Sequence, residues 1–410
     1  MSKFIRYYGH RVGLAYLGGY LLNAPLFVMY SMLQFILCKD LRATALQITL
    51  LIASKPLVAV FSSYWSSSGK VPLKKHIMYA SLIGALPSLL FPFFENNWYL
   101  VFGFALFFFA DRAVIPSWME LLKTKVSSKH QSRLISTGSL SSYIAASFLP
   151  LLIGPWMDWK IGIWKGLFVA FSCLSLLRLI LQFFMLPNES QSPSPPIEGK
   201  KIEFFIHPWK STWDIMKKRS DFAYYQLVFF CGGLGLMIMQ PALPQFIEKL
   251  LHLSYTELAL AFATFKGLGF ALTNPFWSSR IHKTNIFLFC GAVTFLAALS
   301  IGLMIFSRIF SPGIYLAFFF YGAMQAGSHL CWHLGGPLFS PEENSSPYTS
   351  VNIILVGVRG CVGPFIGGAL CSYFGLTLPF LIGGGLCLIG SLLGLVGYQT
   401  IAIQSALVKK

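Results

Sequence analysis

Apolar residues in this chain come in long blocks, and polar residues gather in the short gaps between them. A helix rises about 1.5 Å per residue, so roughly 20 apolar residues cross the hydrocarbon core of a bilayer. Twelve blocks reach about that length, near 12–37, 43–66, 77–94, 98–119, 133–157, 163–186, 222–246, 256–279, 286–307, 312–339, 348–373 and 377–401. Proline interrupts some of them, as in "NAPLF" and "QPALP". Inside a bundle, neighbouring helices satisfy the backbone groups that proline frees. The pattern predicts an all-α integral membrane protein with twelve transmembrane helices. The N-terminal block follows a basic start, is long for a cleaved signal and has no clear small-x-small site, so it reads as a retained first span.

The longest polar gap is central: "NESQSPSPPIEGKKIEFFIHPWKSTWDIMKKRSD". Its Ser/Pro-rich start has linker composition. Its later part, "FFIHPWKSTWDIMKK", mixes Phe, Trp and Lys like a helix lying along a membrane surface. The gap divides the chain into a six-helix half at 1–187, a connector at 188–220 and a second six-helix half at 221–410. The halves echo each other. "YWSS" at 64–67 returns as "FWSS" at 276–279, Lys55 as Lys266, Trp118 as Trp332, and "GP" at 154–155 as "GP" at 363–364, all near one offset. Such echoes predict pseudo-symmetric halves, as in transporters built of parallel repeats.

Composition agrees. Of 410 residues, 55% are hydrophobic and 11% charged, whereas a soluble domain carries about 25% charged residues. The net charge of +17 is no sign of nucleic-acid binding, because the cations cluster in loops. One side holds Lys3, Arg6, Arg11, Lys70, Lys74, Lys75, Lys123, Lys125, Lys129, Arg133, Lys200, Lys201, Lys210, Lys217, Lys218, Arg219, Arg280, Lys283, Lys409 and Lys410. The other holds Lys39, Arg42, Lys160, Lys165, Lys249 and Arg308. Loops rich in Lys and Arg stay in the cytoplasm, so both termini are expected there, with the protein in a plasma or bacterial inner membrane. The eight cysteines are scattered without a CxxC pair, which suits small hydrophobes in packed helices.

Several short motifs carry a resemblance. The loop after span 2, "SSYWSSSGKVPLKKH", has a turn glycine, Gly69, with Lys70, Lys74 and Lys75. The loop after span 8, "SSRIHKT", has Arg280 and Lys283. Span 4 holds Arg112, and span 11 holds "GPFIGG" at 363–368. With twelve spans, two halves and a long connector, the chain resembles the major facilitator superfamily. That family's loop motif, G-x-x-x-D-R-x-G-R-K, includes an acid; none stands in the first loop here, and Ser279 takes its place in the second. Only Gly154-Pro155 remains of G-P-x-x-G-G in span 5, its place in antiporters, so antiport is not implied. The resemblance implies two halves rocking around a midplane site. It also implies a central cavity lined by spans 1, 7 and 10, where Asn23, Gln240 and Gln325 either touch substrate or bind helices together.

The candidate chemistry lies at mid-depth, where a charge costs about 2.5–3.5 kcal/mol on insertion scales and normally faces a bundle interior or watery cavity. Lys55, Asp111, Arg112, Lys266 and Arg359 stand there, four cations against one carboxylate. The compensation expected is an anionic substrate. Arginine's fork suits carboxylate or phosphate, and Lys55 and Lys266 could grip the anion from both halves. Arg112 and Arg359 have helix-tying alternatives. Asp111 is expected to meet Lys55 or to carry a proton, while Arg178, nearer a span end, is expected to snorkel. His329 and His333, four apart on span 10, are candidate proton carriers; two histidines alone make no metal site. With no phosphate-binding loop of the GxxxxGK[ST] type, no nucleotide drive or cofactor is expected. The resulting expectation is a monomeric secondary transporter of a small phosphorylated or carboxylate metabolite, and not an enzyme. The alternatives are an exporter of hydrophobic or drug-like compounds and a transport-dead membrane sensor or scaffold.

Overall fold

A computed structural model describes residues 2–66, 72–94, 96–126, 128–188, 201–281, 283–339 and 346–408. Among them the first seven helices are α1 (Ser2–Lys39), α2 (Ala45–Ser66), α3 (Leu73–Leu89), α4 (Asn97–Ala113), α5 (Ile115–Lys125), α6 (Ser128–Trp159) and α7 (Ile163–Met185). Next come α8 (Lys201–Lys218), α9 (Ser220–Met239), α10 (Ala242–Phe246), α11 (Tyr255–Ala259) and α12 (Lys266–Arg280). Four long helices follow: α13 (Ile286–Phe306), α14 (Gly313–Phe339), α15 (Ser346–Phe374) and α16 (Leu378–Val408). Each of the twelve predicted spans falls on helix. Eight of the described helices are long and apolar enough to cross a membrane by length and composition. Gly69 and Lys70 of the first loop motif, and the Ser/Pro-rich start of the connector, lie outside the described residues.

Among the described residues, three spans are interrupted beside a predicted ligand. Span 4 breaks at Val114, between α4 and α5. Pro116 has no N–H, so the Arg112 carbonyl loses its ordinary i+4 donor; the ladder resumes where the Trp118 N–H donates to Val114 O at 3.1 Å. Span 7 breaks at Gln240 and Pro241, between α9 and α10. Span 8 widens into a π-helical stretch, Leu260–Phe265, that ends immediately before Lys266. Single π turns inside helices recur at functional sites.

Contacts divide the chain into two compact units: Met1–Glu198 with Ser254–Thr256, and Gly199–Leu253 with Glu257–Lys410. In the first, α1 packs on α6 and α7, α2 packs on α4, and α3 lies against α4 and α7. Its core is aromatic: Tyr30 stacks on Phe107 at 4.3 Å, with Phe91, Phe104 and Phe168 around it. Outward faces carry Phe102, Phe148, Leu152, Ile180 and Phe184, which suits contact with lipid. At the end of α7, Arg11 donates to Phe184 O and Lys74 to Phe183 O, cations on the last free carbonyls of a helix. At the far end of α6, Asp158 accepts the N–H groups of Tyr255 and Thr256 and the Thr256 hydroxyl, capping the start of α11. Beside it, burial pushes the Asp40 carboxyl above its ordinary range, and a hydrogen bond from the Tyr255 hydroxyl opposes the shift.

In the second unit, α9 is flanked by α13, α15 and α16, and α12 lies along α14. The "GPFIGG" motif permits a close approach: a Cβ on Gly367 would stand 1.9 Å from the Ile238 carbonyl oxygen of α9. The connector helix α8 packs on α15 and turns Trp209 and Trp213 outward. The Lys217 ammonium lies 5.4 Å over the Trp213 ring.

Candidate functional site

In the first unit, α2, α4 and α7 bring four charged side chains into one neighbourhood. Lys55 sits halfway along α2 and nine residues after the outward Leu46, which puts it on the opposite face at about 100° per residue. Asp111 stands in the same relation to the outward Phe102 on α4. Arg112, the next residue, is rotated by about 100° and remains exposed. Asp111 lies within electrostatic range of Arg112, Arg178 and Lys55, and Lys55 within range of Arg112 and Asp111. Among the described residues, none of these cations forms an ion pair with Asp111; the expected Lys55–Asp111 contact is proximity only. The Lys55 ammonium rests instead over the Phe108 ring, 4.7 Å from its centroid, a cation–π arrangement that leaves the charge unneutralised.

Arg178 departs from the snorkelling expectation. It lies on the flank of α7 turned away from the outward Leu177, Ile180 and Phe184. Its Nη2 donates to the Ser81 carbonyl of α3 at 3.0 Å, while its Nε is buried without a hydrogen-bond partner. One turn earlier, Ser175 donates to Asn23 Oδ1 at 2.8 Å. Asn23 is therefore engaged in holding α1 to α7, and it is 9% exposed.

The second unit holds the other candidates, in two places. Lys266 lies over the Phe262 ring at 4.3 Å and the Tyr321 ring at 5.5 Å. The Gln240 amide donates to the Tyr321 hydroxyl at 3.3 Å. Lys266, Gln240 and Tyr321 thus form one group on α12, on α14 and at the break after α9. Gln325 and His329 follow Tyr321 at successive four-residue steps along α14, both half-buried, and His329 meets the Phe270 ring edge-on at 5.6 Å. The side chain of His333 is not among those described. Arg359 stands apart, 8% exposed on α15. Its Nη1 donates to Phe229 O at 2.6 Å and its guanidinium lies 4.5 Å over the Phe229 ring. Gly233 makes the room: a Cβ there would come within 2.0 Å of Nη1. Arg359 is thus bound to α9 through a backbone oxygen and a ring.

Sequence reasoning missed Arg178, Phe108, Phe262 and Tyr321. Phe262 precedes Lys266 by four residues, one helical turn, and that spacing is a signal for this pair. Phe108 meets Lys55 from another helix, and no local spacing announces it. Arg178 offered only its charge.

The family model of the Major Facilitator Superfamily matches residues 12–358 and, in a second match, 228–402. The chain is similar in fold to a mutant of the nucleoside transporter NupG, with a TM-score of 0.71 and 12% identity over 94% of this chain and 100% of that one. It is similar to a POT family transporter in complex with 5-aminolevulinic acid, at 0.74 and 13% over 94% and 95%. A third likeness is to an inward-facing bacterial homolog of the human lysosomal transporter Spinster, at 0.63 and 12% over 98% of both chains. These identities speak to the fold alone. No curated protein matches the sequence.

Proposed function

The chain belongs to the Major Facilitator Superfamily, a multi-pass membrane protein with a transporter's fold, and from that footing we propose that it moves a small organic anion across the bilayer by alternating access. The observation that supports this reading is the charge imbalance around α4. Among the described residues, Lys55, Arg112 and Arg178 share one carboxylate, Asp111, and none is ion-paired with it. Charge left over at mid-membrane depth is costly, and a mobile anion relieves that cost each time it binds. A site for a cationic or neutral compound has no use for it. Lys266, with Gln240 and Tyr321, offers a further cation and hydrogen-bonding groups in the second unit. In this reading Asp111 and His329 are the proposed carriers of a coupled proton, and both termini are assigned to the cytoplasm.

The test is uptake into proteoliposomes. Labelled dicarboxylates and phosphomonoesters are offered in parallel with a lipophilic cation of similar size. The expected result is saturable flux of at least one anion and none of the cation. Saturable flux of the cation alone overturns the reading.

A further inference from the structure

The charges around α4 also set how much negative charge the ligand carries, an inference that rests on reading this cluster as the anion site. Arg178 is the residue that changes the count. The sequence places it near a span end, but the structure turns it inward onto Ser81 O, within electrostatic range of Asp111. Its guanidinium fills the space beside Gly84, where a Cβ would stand 3.7 Å from Nη2. The Nε–H is buried and has no acceptor, and a buried donor normally has one. Three elements thus each present a cation: Lys55 from α2, Arg112 from α4 and Arg178 from α7. Among the described residues, Asp111 is the carboxylate within range of all three. With Asp111 ionised, two positive charges remain over. A monoanion leaves one of them bare, and a dianion leaves none.

The geometry points to a dianion, a phosphomonoester or a dicarboxylate, as the ligand class of the α2–α4–α7 cluster, with Arg178 as the residue that raises the preferred charge from one to two. One uncompensated mid-membrane charge corresponds to roughly a 100-fold difference in affinity. The group that answers the Arg178 Nε–H comes with the ligand or with a small movement of Asp111 as the ligand enters. The charge count is the same for both sources of dianion, so two arms of the experiment separate them.

The experiment measures dissociation constants of the purified full chain for matched pairs at about pH 8, where a phosphomonoester carries close to two charges. One pair is a phosphomonoester and its methyl diester; the other is a dicarboxylate and its monomethyl ester. Wild-type protein is expected to bind the doubly charged member of at least one pair about 100-fold more tightly, and the pair that shows the ratio identifies the source. In Arg178→Gln the ratio is expected to fall to near one, because one cation has gone. Arg178→Lys, which keeps the charge, is expected to retain most of it. A purely structural role for Arg178 would weaken all four compounds together and leave the ratio unchanged. Equal binding of mono- and dianions by the wild type overturns the dianion assignment while leaving the anion reading intact. Absence of binding by every anion overturns both. An unchanged ratio in Arg178→Gln removes Arg178 from the count, and the wild-type ratio remains decisive if that variant does not fold.

Discussion

Replacing Lys55 or Arg112 by alanine lowers uptake of the transported anion about 100-fold per folded molecule, while the variants still insert and elute as monodisperse protein. Truncating one member of a desolvated charge contact costs about 2–5 kcal/mol, and about 2.7 kcal/mol is a hundredfold. Both side chains are suited to such a contact. Lys55 rests on Phe108, and neither it nor Arg112 is ion-paired with Asp111, so neither is engaged in holding an acid in place. That separates them from Arg359, which is bound to Phe229 O across the α9–α15 packing. Arg112→Lys discriminates further. It keeps the charge but loses the two-pronged donor geometry, so it should fall between wild type and alanine, about tenfold down. If Arg112 served only to tie helices, alanine would reduce the yield of folded protein and leave flux per folded molecule unchanged.

Gly322→Ala and Gly269→Ala each cost on the order of 3 kcal/mol of stability, at the upper end for overpacking. A Cβ on Gly322 would stand 1.9 Å from the Lys266 carbonyl oxygen, and one on Gly269 would stand 1.9 Å from the Phe319 carbonyl oxygen. In both cases the obstacle is backbone, which cannot rotate aside, so α12 and α14 must separate. That separation also pulls Lys266 away from Tyr321. Thermal midpoints of monomer in detergent should therefore drop for both variants. Gly302→Ala on α13 is the control, since nothing lies within 4 Å of a Cβ there. It should hold its midpoint or gain slightly by restricting the unfolded chain. Equal midpoints for Gly322→Ala and Gly302→Ala would contradict the packing of α12 against α14.

The twelve spans were legible because bilayer thickness is written into segment length, which is a local property of sequence. The breaks beside Arg112 and Gln240 coincide with Pro116 and Pro241, but proline alone is no sufficient signal, since Pro25, Pro56, Pro155 and Pro364 lie inside unbroken helices. The π stretch before Lys266 was not legible, because "LAFATF" carries no proline or other local sign of a wider turn. Arg178 was misread for a related reason. A helix apolar nearly all round, as α7 is, shows no periodicity that says which face turns inward. Distance from the span end then becomes the only guide, and it pointed to the headgroups. Phe108 and Tyr321 were hidden by number, because 39 phenylalanines and 17 tyrosines give no reason to single out two. Arg359 was half legible. Its Gly-rich surroundings signalled close helix approach, yet the glycine that accommodates it, Gly233, comes from the other half of the α9–α15 pair.

The most direct measurement is a thermal-shift comparison of anions with their uncharged counterparts: carboxylate against carboxamide, and phosphomonoester against the parent alcohol. At 100 times its dissociation constant a ligand stabilises the folded state by about 2.7 kcal/mol, enough to move a melting midpoint. The anionic member of at least one pair should raise the midpoint and its neutral partner should not, and the Lys55→Gln/Arg112→Gln double variant should lose the effect. Equal stabilisation by the neutral partner, or an anion effect that survives in the double variant, would contradict the role assigned to the unpaired cations.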